Sequence, residues 1–148
     1  MRASEDGKTT MREIRRLTWL LLAALLLAGC AGNKKASALQ RQQYAWSAAI
    51  RWGDFEGAWN LVDPEYREAN PMTELHFERY GHIQISAYRE RGVQAADEGT
   101  VVRDIEIGVV NRHTMAERSL RHTEQWRYDP DAGQWWIANG LPDFWRGE

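Results

Sequence analysis

Cysteine is almost missing from this chain: Cys30 is the only one in 148 residues. No disulfide can form within one chain, so a packed core has to supply the stability. Long hydrophobic runs are lacking too. The apolar stretch Trp19–Gly29 is about half of the roughly 20 residues that a spanning helix needs. There is no glycine-rich phosphate loop, no nucleophile elbow and no paired-cysteine zinc motif, which removes the commonest nucleotide, hydrolase and zinc readings. His76 and His82, with Glu78 between them, straddle the Tyr80-Gly81 break and lack the spacing of helical metal ligands, and His113 falls in a turn. Neither a metal nor a cofactor is expected. The formal net charge is −2, without the concentrated basic face that phosphate binding requires, so no nucleic-acid partner is expected.

What is present first is an address. Arg12, Arg15 and Arg16 precede the apolar run Trp19–Gly29, which closes on Leu27-Ala28-Gly29-Cys30, the layout of a secretory signal with small residues at the cut. This resembles the lipobox of bacterial lipoproteins, and the resemblance implies a signal peptide over 1–29 and diacylglycerol and palmitate-type acyl chains on Cys30. Met11 is an alternative start, because Met1–Thr10 mixes Glu5 and Asp6 into a leader that should be basic. Residues 30–37 read as the lipidated cysteine and a tether, with Ala31-Gly32-Asn33-Lys34-Lys35-Ala36-Ser37 in linker composition. By resemblance to lipoprotein sorting signals, Ala31 after the cysteine favours the periplasmic face of the outer membrane. Processing removes 29 residues and leaves 119, with 14 basic and 18 acidic side chains. That length suits one domain, expected over 38–148.

Helical spacing dominates the first half of that domain and strand alternation the second, the pattern of an α+β fold. Leu39, Gln43, Trp46, Ala49 and Ile50 recur at helical intervals up to a stop at Gly53. Asp54 can cap a second helix whose stripe is Phe55, Ala58, Trp59 and Val62, ended or re-set by Asp63-Pro64. After Asn70-Pro71, Thr73 can cap a short third helix carrying Leu75, Phe77 and Tyr80. From Gly81 onward, Ile83, Ile85 and Ala87 alternate with Gln84, Ser86 and Tyr88. Val101, Arg103, Ile105, Ile107 and Val109 form the inward face of the next strand. Leu120, His122, Glu124, Trp126 and Tyr128 share one face of the third, and the last strand is expected over Gln134–Gly140. Short hairpin turns at Asp97-Glu98-Gly99, Asn111–Thr114 and Asp129–Gly133 predict an antiparallel meander.

Helices followed by a curved antiparallel sheet, with Gly53-Asp54-Phe55-Glu56-Gly57-Ala58-Trp59 at the first helical break and Gly133-x-Trp135-x-Ile137 in the terminal strand, resemble the nuclear transport factor two-like superfamily, a cystatin-like cone. The resemblance covers most of the mature chain. It implies a cone whose mouth can hold a small molecule, and pairing of two copies through the outer sheet face. It does not settle function, because enzymes and binding modules share the fold.

For catalysis, His122 and Glu124 are the candidates: two apart on one strand, they face the same way and could serve as base and orienter. Arg103, on a neighbouring apolar face, is placed to neutralise Glu124 or receive an anion. Arg103, His122, Glu124 and Trp126 therefore form the candidate ligand-binding set. The plainer reading is a polar ladder satisfying itself. Seven tryptophans survive processing, and Trp135 and Trp136, adjacent in a strand, must face opposite ways, so one of them marks a second buried surface such as a partner face. The expectation is an outer-membrane-anchored periplasmic lipoprotein that binds a small apolar or anionic ligand, an envelope protein or a second copy of itself. The alternative is a small acid–base isomerase or dehydratase-like enzyme.

Overall fold

Leu39, Trp46 and Ile50 line one side of α1, the helix over residues 34–52, and Trp46 and Ile50 are fully buried. The computed structural model describes residues 34–145. The leader 1–29, Cys30 and the tether as far as Asn33 lie outside the described residues. A compact unit runs Ala38–Glu148, and its fold is α+β: short helices against one face of an open, four-stranded antiparallel sheet.

After Gly53, Asp54 caps α2 (Phe55–Trp59), its carboxylate accepting from the Gly57 N–H at 2.8 Å. The stripe Phe55, Ala58 and Val62 is buried as its spacing predicts. The helix itself is shorter than the stripe. Asp63-Pro64 opens α3 (Pro64–Ala69), because Asp63 accepts from the Glu65 N–H at 3.0 Å and proline needs no donor at a first helical position. In α4 (Glu74–Tyr80) the Thr73 N–H donates to His76 Nδ1 at 3.0 Å, which gives His76 a capping role.

The strands are β1 (Ile83–Ala95), β2 (Thr100–Asn111), β3 (Glu117–Asp129) and β4 (Gln134–Ile137), ordered β1-β2-β3-β4. β2 turns Arg103, Ile105, Ile107 and Val109 inward, and β3 turns Glu124 and Trp126 inward, in agreement with their alternation. β1 departs from simple alternation. Its register shifts between Ile85 and Ala87, and again between Glu90 and Gly92. Each extra residue flips the side chains beyond it and bends the strand. Tyr88, expected opposite Ile83 and Ile85, is thereby buried with Ile83 in the core. Gly108 permits the first bulge, since a Cβ there would lie 2.5 Å from Ser86 Oγ and 3.1 Å from Ala87 Cβ.

β4 stops at Ile137, three residues before the expected end at Gly140. Asn139 replaces the ladder with its amide, accepting from the Gln125 N–H at 3.1 Å and donating to the Thr123 carbonyl at 2.6 Å. Gly140 then turns the chain away at φ 77°, a left-handed conformation, with the Tyr66 ring where a Cβ would stand. The tail packs on α4: Phe144 is buried, Tyr80 donates to the Pro142 carbonyl at 3.2 Å, Arg118 donates to the Phe144 carbonyl, and the Arg79 guanidinium lies 4.0 Å from the Trp145 ring centre.

Candidate functional site

Antiparallel pairing of β2 with β3 sets Arg103 opposite Glu124 and Val101 opposite Trp126. Glu124 is completely buried, where a carboxylate is costly unless donors surround it. Four donors do so. Trp46 Nε1 from α1 reaches Oε1 at 2.9 Å, and the Tyr88 hydroxyl from β1 donates to the same oxygen. Arg103 reaches Oε2 at 3.2 Å, and Trp126 Nε1 reaches it at 3.0 Å. A carboxylate has about four acceptor positions, and protein groups take all of them. Trp46 and Trp126 also meet edge to face, ring centres 6.3 Å apart.

Burial raises the Glu124 carboxyl above its usual range, while the Tyr88 hydrogen bond, the Arg103 charge and the two indole N–H groups pull it back down. Burial, then the charge of Glu124 and the hydrogen bond to it, keep the Tyr88 phenol protonated far above its usual range. The indoles and the guanidinium cannot reverse their direction, so the ring of donors is built for the ionised form. Arg103 also holds Glu90 at 2.9 Å through Nε and 2.8 Å through Nη2. Glu124, Arg103 and Glu90 thus make a charge chain from the core to the half-exposed rim.

Of the candidate ligand-binding set, the structure joins Arg103, Glu124 and Trp126 and leaves His122 apart. The three are bonded to one another, and no acceptor position on Glu124 remains for a substrate proton or a ligand. His122 shares their strand face but makes no hydrogen bond with Glu124. Its Nε2 is buried without a partner, and burial pushes the imidazole down to about 4. Beside it is a cleft of about 510 Å³ lined by Leu120, Gln125, Asn139, Leu141 and Asp143, among others. No base–orienter pair exists between His122 and Glu124.

Trp46 and Tyr88 are the members of the site that sequence reasoning missed. Trp46 fitted a core stripe, and Tyr88 sat on the wrong face until the bulge was known. The usable signal was the carboxylate itself: a glutamate on an apolar strand face requires hydrogen-bond donors nearby, and Trp and Tyr are large apolar residues that carry one. Trp135, a candidate for the partner face, is 4% exposed and packs in the core, with its ring centre 5.3 Å from that of Tyr128. It offers no surface to a partner; half-buried Trp136 occupies the opposite face. His82 Nδ1 and His113 Nε2 meet at 3.0 Å on the surface, a pair not foreseen from their separation. Among the described residues no group of three or more His, Cys, Asp or Glu could hold a metal ion, and no helix is long and apolar enough to cross a membrane.

The chain matches no family model, and no curated protein matches it. The fold and site define an α+β domain organised around a buried, fully bonded carboxylate.

Proposed function

We propose that the chain is a lipid-anchored lipoprotein of the outer membrane's periplasmic face, whose nuclear transport factor two-like domain works as a protein-binding or assembly module. The observation that carries the non-catalytic part is the saturation of Glu124 by Trp46, Tyr88, Arg103 and Trp126. A group with every acceptor position engaged fastens four elements together; it does not take a proton from a substrate. The anchoring part is supported by the sequence Leu27-Ala28-Gly29-Cys30 after a basic and apolar leader. The acid–base reading keeps one observation in its favour, the neutral His122 ring beside its cleft.

The test is intact and native mass spectrometry of the chain purified from a bacterial envelope. Acyl chains on a new N-terminal Cys30 and no further mass on the subunit are expected. A free Cys30 thiol overturns the anchor. A small molecule retained on each subunit overturns the protein-contact reading and moves the function to the cleft beside His122.

A further inference from the structure

We infer that the solvent face of α1 is a membrane-contact surface for anionic phospholipid headgroups. Arg41, Tyr44, Ala45, Ala48 and Trp52 fall on one stripe of the helix, within about 60° of Arg41 at roughly 100° per residue. That stripe lies opposite Leu39, Trp46 and Ile50, which enter the core. It is about 16 Å long at about 1.5 Å per residue. Tyr44 is 77% exposed and Trp52 is 87% exposed, the two most exposed aromatic side chains among the described residues. Large rings spread along one helix face are costly to leave in water, and tryptophan and tyrosine are the residues that headgroup regions accept.

Charge supplies the second, independent argument. From residue 17 to residue 53 the only charged side chains are Lys34, Lys35, Arg41 and Arg51, all basic. From Asp54 to the end there are 18 acidic and 10 basic side chains. An anionic lipid surface therefore attracts α1 and repels the rest of the domain, which fixes a single orientation. The proximity of that surface rests on the lipid-anchor reading. Cys30 precedes Lys34, the first described residue, by a stretch of chain that reaches about 14 Å at most. A helix with an aromatic stripe and basic flanks then lies in the interface plane, as amphipathic surface helices do.

The envelope-purified chain, reconstituted in vesicles of phosphatidylglycerol and phosphatidylethanolamine whose acyl chains carry bromine, tests this through quenching of tryptophan fluorescence. Subtracting the Trp52→Phe protein isolates Trp52. Quenching of Trp52 is expected, and it should weaken at high salt and in phosphatidylcholine vesicles. Arg41→Gln should lower the docked-to-undocked ratio about fivefold, and Tyr44→Ser about tenfold. These side chains are on the surface, so an unchanged far-ultraviolet circular dichroism spectrum verifies that each variant is folded. Equal quenching of wild type and Trp52→Phe overturns the inference. So does a dimer in native mass spectra that Trp52→Ser dissociates, which would give the face to a second copy. The mass of Cys30 in the same sample separates the two readings. Acylated protein without Trp52 quenching overturns this inference alone, and quenching with a free thiol overturns the anchor alone.

Discussion

Glu124 draws its partners from four elements, so its removal is felt across the domain. Glu124→Ala leaves a guanidinium, two indole N–H groups and a phenol without their acceptor, and should cost about 3–5 kcal/mol, the range for breaking a buried ion pair, measured by urea denaturation. Tyr88→Phe removes one donor of four and should cost about 1–3 kcal/mol. His122 gives the pH dependence its sign. Burial holds its folded-state value near 4 against an ordinary 6.5. Between those values the unfolded chain binds a proton that the folded chain refuses, so stability rises with pH and is lost as pH falls, by about 3 kcal/mol in all. Comparing unfolding of wild type and His122→Gln from pH 7 to pH 4 checks this, because the opposite-signed contribution of Glu124 is common to both proteins. At this scale the sequence was half readable. Strand alternation brought Arg103 to Glu124, since pairing across one short hairpin leaves few registers. The same alternation brought His122 to the Glu124 face without revealing that the carboxylate was already engaged elsewhere.

Elements form where local rules agree and shift where a single residue breaks the period. The capping aspartates and Thr73 place α2, α3 and α4, because a cap is a local hydrogen bond between near neighbours. The bulge at Ser86 follows no local rule. It depends on Gly108 in the facing strand, where the absence of a Cβ makes room, and a pattern of period two cannot register an inserted residue. Gly108→Val should therefore cost about 1–3 kcal/mol by overpacking, seen as a lower urea midpoint with an unchanged slope. Gly140→Ala combines a left-handed backbone with a clash 2.7 Å from the Tyr66 ring. It should release the tail, read as faster amide exchange around Phe144 and Trp145 while the β2–β3 ladder stays protected. The early end of β4 has the same origin as the bulge: Asn139 imitates a strand residue with its side chain, a substitution invisible to periodicity.

Across the domain, the sheet face away from the helices is mostly polar, with half-buried Trp136 at its β4 margin. Arg89 and Arg91 meet Glu106, Thr123 meets Asp104, and Ser86 meets Glu117. The resemblance implied pairing through that face, but homodimer interfaces are apolar at their centre, so a monomer is the expected native mass. The edges of the sheet carry a further consequence. Residues 61–63 run along β4, with the Ile137 N–H donating to the Leu61 carbonyl at 3.0 Å and the Asp63 N–H donating to the Ile137 carbonyl at 2.8 Å. Where β3 extends beyond β4, Asn139 and the Arg118 bond to Phe144 cover part of it. At the other margin β1 is bulged twice and bears Arg89, Glu90 and Arg91, with Arg51 donating to the Tyr88 carbonyl. Proteins tethered to one leaflet diffuse in a plane and collide side on far more often than molecules in free solution. Unguarded strands would zip such neighbours into ribbons. On the proposed lipid anchor, a margin partly covered on one side and a kinked, charged one on the other would let many copies crowd the same sheet of lipid and stay separate.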